Sequence, residues 1–374
     1  MIHHEETKKT DYVLISYFAI LLIFGLIMLT SASTAVGHER FGDANFFIKR
    51  QILYGVIPGL FLFLFFAKLS YKKLKILAPF VYIFIILMLL GVFIPGLGSS
   101  FSTGANSWIV IAGISFQPAE FAKLGLIIFM AWYLTKDDAN VKSFRKTFLP
   151  AVLLGLIPIG LVVLQPDIGT VSILFMILLG ILFVAGSKIS HLSLITALGV
   201  AGLIVMILIA PYRAARLTTF LHPELDPQGI GYHINQAYLA IGSGGLFGLG
   251  LGHSRQKFQY LPEVHADSIY AIIAEEAGFF FAVGLIILLI MICGRSLKLA
   301  ARAPDDFAKL LVAGIIIWFI SQSFLNIGAM VGLLPLTGVP LPFISHGGTA
   351  LMTSMAAVGI IINISKYKTR LRNK

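Results

Sequence analysis

Apolar stretches of about 20 residues recur along the whole chain, and short polar connections separate them. A helix of this length crosses the hydrocarbon core of a bilayer. Because backbone groups in lipid must be hydrogen-bonded within their own segment, the pattern predicts membrane-spanning helices rather than strands. The ten predicted spans are residues 12–33, 50–67, 75–95, 118–135, 148–165, 168–186, 190–210, 267–293, 306–330 and 346–365.

The composition agrees with a lipid-solvated protein. Of the 374 residues, 58% are hydrophobic and 12% are charged, which is too little polar surface to cover a water-soluble globule of this size. The first apolar stretch lacks a small-residue cleavage site and is interpreted as a retained helix. The single cysteine, Cys293, excludes an intrachain disulfide and is interpreted as a small apolar residue.

Basic residues are divided unequally between the two ends of the predicted spans. Twenty of the 28 Lys and Arg residues lie at the termini and in the connections on the same side as the termini. The positive-inside rule therefore predicts that both termini are cytoplasmic. Topology and contact with anionic lipid explain the net charge of +11. A nucleic-acid partner is not expected, since the basic residues are not gathered with aromatic ones on one face.

Two connections on the opposite side are too long to be turns. One covers residues 95–117, and the other, residues 211–266, is called the long loop below. The long loop mixes Pro, Gly and short amphipathic pieces such as 234–241, which is typical of a functional segment folded against a bundle and a membrane surface. The prediction is one all-α polytopic domain over residues 1–374, with ten transmembrane helices and a large extracytoplasmic loop between helices 7 and 8.

Four ionisable residues within or at the ends of spans are candidates for function, because hydrocarbon tolerates such groups only beside a partner or a cavity. Glu120 and Lys123 lie three apart on one helix face, where an ion pair is the structural alternative. Asp167 follows Pro166 at the break between the fifth and sixth spans. Asp267 opens the eighth span, and spacing alone favours its use as a helix N-cap.

Other polar groups near the long loop carry weaker signals. The spacing of its histidines fits no zinc pattern. The glycine-rich stretch 242–252 has no preceding strand and no following Gly-Lys-Ser, so close backbone packing is favoured over a phosphate loop. Glu275 and Glu276, two turns into the eighth span, either line the cavity of Asp267 or pair with a neighbouring helix.

Seven motifs follow one another in order over nearly the whole chain, at residues 104–109, 116–123, 165–170, 211–216, 226–232, 261–267 and 344–348. In these motifs the chain resembles the SEDS family (shape, elongation, division and sporulation). Gln256 and Lys257, together with the start of the long loop, resemble its division branch, FtsW, more than its elongation branch, RodA. The family pattern differs at Ser107, where Arg is usual, and at His346, where Tyr is usual, but the acid at 267 is present.

The resemblance implies a peptidoglycan glycosyltransferase of the bacterial plasma membrane that polymerises lipid II, a disaccharide-pentapeptide on undecaprenyl diphosphate, into a β-1,4-linked glycan. Asp267 matches the position regarded as catalytic. The resemblance also implies a class B penicillin-binding protein, a transpeptidase, as a partner for division or cell-shape maintenance.

The remaining candidate residues would bind substrate or line the cavity. Positions taken from the family motifs are Glu120, Lys123, Asp167, Trp108, Glu263, His265 and Ser345. Candidates for holding a diphosphate are Arg213, Arg216, Arg255 and Lys257, or a divalent cation such as Mg²⁺ or Mn²⁺. Contact with lipid headgroups is the alternative use of these basic residues.

Two other classes of function compete with the enzyme. A transporter or flippase for a lipid-linked precursor would use intramembrane Glu, Lys and Asp as its polar pathway, but no inverted repeat is visible. A division scaffold without chemistry would tolerate substitution of Asp267.

Overall fold

The computed structural model describes residues 6–7, 10–99, 107–111, 113–209, 211–226, 229–258 and 260–369, and these parts are mostly helical. The α-helices are α1 (Tyr12–Phe41), α2 (Phe46–Gln51), α3 (Ile57–Lys68), α4 (Tyr71–Gly91), α5 (Pro118–Leu134), α6 (Leu149–Val163), α7 (Ile168–Val184), α8 (Ile189–Ile209), α9 (Pro211–Leu221), α10 (Ile230–Ser243), α11 (Ile269–Ala301), α12 (Asp306–Met330) and α13 (Gly348–Ser365). A π-helical turn, Ile52–Val56, joins α2 to α3, and another, Phe144–Phe148, precedes α6.

In the described part of the chain, eight helical segments are long and apolar enough to cross a bilayer. They are α1, the continuous α2 to α3 segment, α4, α6 with its π-helical turn, α8, α11, α12 and α13. Helices α5 and α7 have 17 residues each and lie where the fourth and sixth spans are predicted. Helix α1 continues to Phe41 and α11 to Ala301, past the predicted span ends at residues 33 and 293.

Helices α12 and α13 lie at the centre of the bundle, with most of their residues buried, whereas α8 is almost entirely exposed. Close packing at the centre depends on small residues. A Cβ atom on Gly314 of α12 would stand 2.7 Å from Ile127 of α5. The exposed faces of the outer helices are rich in Leu, Ile and Phe, as expected for helices solvated by lipid.

Two small antiparallel sheets, absent from the sequence prediction, complete the described fold. Strands β2 (Gly98–Ser99), β3 (Trp108–Ile111) and β4 (Ile114–Phe116) form one sheet, and β1 (Glu6–Thr7) pairs with β5 (Lys368–Thr369). Strands of two to four residues are too short to show a period-2 pattern in the sequence.

The long loop contains two amphipathic helices, α9 and α10, joined through a 3₁₀ turn at Pro223–Leu225. In α10, Ile234 and Ala237 are buried while Tyr238 and Leu239 are exposed. The predicted amphipathic piece is therefore confirmed, and it is longer than the sequence indicated. One face of α10 packs on the bundle and thereby brings the loop over the start of α11.

Helix α11 is interrupted at Gly278, which has φ 81° and ψ −179°. The carbonyl oxygens of Glu275 and Glu276 accept hydrogen bonds from the amides of Leu249 (2.9 Å) and Gly250 (3.0 Å) in the long loop. A Cβ atom on Gly278 would stand 2.3 Å from the Gly248 amide nitrogen, so only glycine permits this approach. The predicted use of the glycine-rich stretch in close packing is confirmed.

Candidate functional site

Asp267 lies between the end of the long loop and the start of α11. The N-cap position of α11 is occupied by Ser268, so the alternative that Asp267 caps this helix is wrong. The Asp267 Oδ1 atom is shielded from solvent and has no hydrogen-bond partner in the described structure. A buried carboxylate oxygen without a partner is uncommon and indicates a group held ready for a ligand or for proton transfer.

The electrostatic surroundings of Asp267 favour proton transfer. Burial raises the pKa of Asp267 to about 7, and the nearby negative charge of Glu263 adds to the rise. The positive charge of Arg216 acts in the opposite direction and lowers the pKa of Asp267. A carboxylate that titrates near neutral pH is well matched to general base catalysis.

The backbone around Asp267 is fixed by hydrogen bonds from other elements. The side-chain amide of Asn326 in α12 donates to the carbonyl oxygens of Asp267 (2.8 Å) and Val339 (2.8 Å). The Ser345 hydroxyl donates to the Ala266 carbonyl at 2.5 Å. Asn326 of α12 and Ser345 of the segment before α13 therefore hold the backbone of residues 266 and 267 in place. Both side chains are buried.

Ser268 and His233 fix the other side of the site. The Ser268 hydroxyl donates to the Pro262 carbonyl (2.8 Å) and lies 2.6 Å from His233 Nε2. Ser268 thereby connects His233 of α10 to the segment that precedes α11. Burial, helped by the charge of Arg216, lowers the pKa of His233 to about 4, so this imidazole is neutral at physiological pH.

Two histidines, His265 and His346, lie close together next to the Asp267 site. The His265 ring lies 4.0 Å from the Phe47 ring and 5.8 Å from the His346 ring, measured between centroids. Burial lowers the pKa of His265 to about 3, with smaller contributions from His346 and Arg40. Burial and the charge of Arg50 lower the pKa of His346 to about 4. Both rings are therefore neutral near pH 7, and the 3.7 Å contact from His265 to Glu263 is not an ion pair there.

Glu120 and Lys123 form a separate polar cluster inside the bundle. Lys123 Nζ lies 2.7 Å from Glu120 Oε1 and 2.9 Å from Gln322 Oε1, which confirms the predicted ion pair. Both charged side chains are buried. Gln322 Nε2 donates to the Pro340 carbonyl at 2.8 Å, next to the Val339 carbonyl that Asn326 binds. Helix α12 therefore connects the ion pair to the Asp267 site through residues 339 and 340.

Asp167 has a capping role. Its carboxylate accepts hydrogen bonds from the Thr170 amide (3.0 Å) and the Thr170 hydroxyl (2.8 Å), which caps α7. A third hydrogen bond, 3.2 Å from Gln117 Nε2, ties α7 to the start of α5. The Asp167 carboxylate thus joins the start of α7 to the start of α5.

The basic residues predicted to hold a diphosphate have different surroundings, and Arg255 is exposed. Lys257 is buried and pairs with Glu276 at 2.8 Å, so the structure gives it a different role from phosphate contact. Glu276 pairs with this lysine of the long loop and also accepts a hydrogen bond from Ser31 of the neighbouring helix α1. Arg216 acts on Asp267 through its charge, whereas the Arg213 side chain lies outside the described residues. Trp108 lies in β3, opposite Ser99.

No group of three His, Cys, Asp or Glu side chains suited to a metal ion occurs among the residues that the structure describes.

Sequence reasoning missed Gln322 and Asn326, which join the two polar clusters. Both are polar residues in an otherwise apolar helix, and they lie four positions apart on one face. That pattern was available in the sequence. Thr337, which faces Asp267 across a narrow cleft, gave no such signal because it lies in an irregular segment.

The apolar helices of the described chain define a multi-pass membrane protein, and a buried carboxyl group with a pKa of about 7 lies just before α11. The chain belongs to the FtsW/RodA/SpoVE family, whose family model, described as "Cell cycle protein", matches residues 12–370. Members of this family are inner-membrane proteins, and the chain is a multi-pass protein of the inner membrane.

Relatives cover almost the full length of the chain. Stage V sporulation protein E of Bacillus subtilis (strain 168) is 39% identical over 363 residues, covering 96% of this chain and 99% of that protein. A probable peptidoglycan glycosyltransferase FtsW of Geobacter sp. (strain M18) is 36% identical, covering 97% of each chain.

Solved structures share the fold. Thermus thermophilus RodA, a rod shape determining protein, matches with a TM-score of 0.70 and 26% identity, covering 96% of this chain and 98% of that chain. A chain from a peptidoglycan synthase complex matches with a TM-score of 0.77 and 26% identity, covering 95% and 97%.

Proposed function

We propose that this chain is a peptidoglycan glycosyltransferase that polymerises lipid II, and that Asp267 is its general base. The observation that carries the proposal is the Asp267 carboxylate itself, with a pKa of about 7 and one oxygen that has no partner within the described structure. Relatives named peptidoglycan glycosyltransferases, similar over 97% of the chain, support the reaction class.

The proposed topology has ten spans and two cytoplasmic termini. It counts the 17-residue helices α5 and α7 as spans, and it is supported by the excess of basic residues on the side of the termini. The long loop and Asp267 then face the outer surface of the membrane. A lipid-linked sugar with its carrier in the bilayer would present its reacting atoms at this depth.

The reaction is a single displacement. Asp267 takes the proton of the acceptor 4-hydroxyl, and the oxygen of that hydroxyl bonds to the anomeric carbon of the donor. The bond from this carbon to the diphosphate oxygen breaks, and the lipid diphosphate leaves with the electron pair. Attack from the opposite face inverts the centre, so an α-linked donor gives a β-linked glycan. A positioned general base typically contributes about 10² to 10⁴-fold.

The leaving diphosphate needs positive charge near it. Arg216 is the basic residue whose charge acts on Asp267, and it is the best candidate among the described residues. A divalent cation would neutralise the diphosphate if it took most of its ligands from the phosphate oxygens. A class B penicillin-binding protein is proposed as partner, supported by the fold shared with a chain of a peptidoglycan synthase complex.

The test is polymerisation of lipid II by the purified protein, with and without its transpeptidase partner and divalent cations. We expect Asp267→Asn to lose activity by at least about 10²-fold while keeping the melting profile of a folded protein. Asp138→Asn is the matched control, since it makes the same substitution at an exposed carboxylate in the connection after α5. Full activity of Asp267→Asn would contradict the assignment. Translocation of labelled lipid by vesicles without polymer would favour the flippase instead.

A further inference from the structure

Residues 244–252 of the long loop, called the apolar segment below, consist of five glycines and four large apolar residues. The four apolar side chains are all exposed, and they are Leu246, Phe247, Leu249 and Leu251. Phe247 is 81% exposed, more than any other large apolar residue that the structure describes. Exposed apolar side chains gathered in one place mark a surface that a partner or a membrane covers.

The position of α11 in the bilayer sets the depth of the apolar segment. Arg295 of α11 lies 2.8 Å from Asp11, the N-cap of α1, so this level marks the bilayer boundary on the side of the termini. Phe280 lies 15 positions before Arg295 in α11, which corresponds to at most about 22 Å along the membrane normal. Because the hydrocarbon core is about 30 Å thick, Phe280 lies roughly 8 Å inside the opposite boundary.

A second contact between α1 and α11 supports this depth. The Ser31 hydroxyl of α1 donates to the Glu276 carboxylate of α11 at 2.5 Å. Ser31 lies 20 positions after Asp11, so this contact is about 30 Å from the level of Asp11 and marks the opposite boundary. Phe280 lies four positions after Glu276, toward the centre of the bilayer. Both helices therefore place the break in α11 within the hydrocarbon core.

The apolar segment contacts α11 at this depth. The centroids of the Phe247 and Phe280 rings are 5.5 Å apart, and the Phe280 amide donates to the Leu246 carbonyl at 3.4 Å. Phe280, Ile287 and Met291 are exposed, and their spacing of seven and four positions places them in one stripe along α11. This stripe faces lipid, and Phe247 extends it.

The backbone of the apolar segment is hydrogen-bonded in a way that hydrocarbon requires. Irregular backbone occurs at membrane depth only where its polar groups have partners in the protein. The amides of Leu249 and Gly250 donate to carbonyl oxygens of α11, and the Gly245 carbonyl accepts from the Phe279 amide at 2.9 Å. These bonds lower the cost of transferring the peptide groups out of water.

We propose that residues 244–252 form a re-entrant segment that enters the leaflet opposite the termini, with its apolar side chains among the lipid acyl chains. In the proposed topology this is the outer leaflet. The segment anchors the long loop in the membrane whether or not the protein has the proposed activity. The nine residues Ile269–Ala277 rise roughly 14 Å from the break, so the anchor also holds Asp267 close to the headgroup layer.

The test is spin labelling of the protein in vesicles of phosphatidylcholine and phosphatidylglycerol. Cys293 is the single cysteine, so Cys293→Ala provides a background in which Phe247→Cys carries the only nitroxide. Oxygen dissolves in hydrocarbon whereas a polar nickel chelate stays in water, so the ratio of their collision rates with the nitroxide reports its depth. We expect the ratio of oxygen to nickel collisions at position 247 to exceed that of a label in water by at least about 10-fold.

Two labelled variants provide the references. Ile287→Cys is the lipid reference, because Ile287 is exposed within the stripe on α11. Glu39→Cys is the aqueous reference, because Glu39 is exposed and lies 28 positions after Asp11, or about 42 Å along α1 and beyond the hydrocarbon core. Position 247 should resemble Ile287→Cys. A label in Leu251→Cys, nearer the end of the segment, should be shallower than the label at 247.

Two results would overturn the proposal. A collision ratio at position 247 equal to that of Glu39→Cys would place the apolar segment in water. A label at 247 that collides with neither reagent would show that protein covers the segment in place of lipid. If Phe247→Cys does not fold, the label in Leu251→Cys decides, and a ratio there equal to that of Glu39→Cys overturns the proposal.

Discussion

Lys257 and Glu276 form a 2.8 Å ion pair in which both side chains are shut off from solvent. The Ser31 hydroxyl of α1 donates to the second Glu276 oxygen at 2.5 Å and accepts from the Gly252 amide at 3.1 Å. One polar cluster thus fastens the long loop to α1 and α11. A charge cluster of this kind holds the loop in place because each charge would be costly to bury alone.

Removing the cation of this pair should be strongly destabilising. Lys257→Met leaves the Glu276 carboxylate buried without its counter-charge, and we expect a loss of about 3–5 kcal/mol of folding free energy. Thermal unfolding in detergent measures the loss. Lys49→Met, which breaks the exposed pair between Lys49 and Asp43, is the control and should leave the melting temperature unchanged. Equal effects of the two variants would contradict a buried, uncompensated carboxylate.

The pH dependence of polymerisation should follow the ionisation of Asp267. Only the ionised form accepts a proton, so the rate should fall as the pH drops through about 7, the pKa of the buried Asp267 carboxyl. Measurements of kcat/KM for lipid II between pH 5 and 9 provide the profile, because kcat/KM reports the pKa of the free protein. A midpoint near 4, the ordinary value for Asp, would contradict a raised pKa of Asp267.

Two neighbouring substitutions should move this midpoint in opposite directions. The charge of Glu263 raises the pKa of Asp267 and that of Arg216 lowers it. Glu263→Gln should therefore shift the acidic limb to lower pH, and Arg216→Gln should shift it to higher pH, each by a few tenths of a unit to about one unit. Lys142→Gln, in the connection at the far end of α5, should leave the midpoint unchanged. Shifts of the same sign in both variants would argue against Asp267 as the titrating group.

Asp267 should also cost stability at neutral pH. Its pKa is higher in the folded protein than the ordinary 3.8, so the folded state binds the proton more tightly than the unfolded chain. Stability from this group is therefore greatest below pH 4, declines as the pH rises to about 7, and stays low above that. Asp267→Asn should melt on the order of a few degrees higher than the wild type at pH 8, with the difference shrinking toward pH 4.

Asp43→Asn is the control for this prediction, because the charge of Asp43 has the opposite effect on folding stability. Hydrogen bonds from Lys49 and the Asn45 amide lower the pKa of Asp43, so its charge stabilises the folded state above the ordinary pKa. This variant should not gain stability at pH 8. A gain in Asp43→Asn equal to that in Asp267→Asn would mean that loss of charge in general, and not the burial of Asp267, raises the melting temperature.

The break in α11 provides a test on two glycines of one helix. Gly278→Ala places a Cβ atom 2.3 Å from the Gly248 amide nitrogen at φ 81°, so we expect loss of folded protein or a destabilisation of about 3 kcal/mol or more. Gly284→Ala is the matched control, since a Cβ atom there meets no atom within 4 Å. Yield and melting temperature after purification provide the comparison. A Gly278→Ala protein as stable as the control would contradict the close approach of the long loop.

The sequence was sufficient for features that depend on local pattern. The lengths of the apolar stretches predicted the helices, and the three-residue spacing predicted the pair of Glu120 and Lys123. The helical pattern of polar and apolar positions predicted the amphipathic part of α10. These succeed because neighbours on one helix face are fixed by the 3.6-residue period. Asp267 could be singled out as a candidate, but spacing favoured the N-cap position of α11, which Ser268 occupies instead.

Features that depend on distant segments could not be predicted. Asn326 contacts Asp267 across 59 positions of sequence, and Lys257 contacts Glu276 across 19 positions. The sequence shows that Lys257 is a basic residue in a loop, but it does not show which anionic group the side chain contacts. For Lys257 the partner proved to be a buried carboxylate, and the sequence had suggested a phosphate.

Because the backbone of α11 bonds to the long loop at the break at Gly278, the long loop and α11 can be exchanged between relatives only together. Phe279 and Phe280 donate their amides to the carbonyls of Gly245 and Leu246, as the helix carbonyls that they would otherwise meet are occupied by the loop. A chimera that received only the long loop of a relative would contain loop amides and carbonyls without matching hydrogen-bond partners in α11. Grafts that carry residues 242–301 together should fold, whereas grafts divided between loop and helix should not. In evolution as in engineering, the long loop and α11 would have to change together.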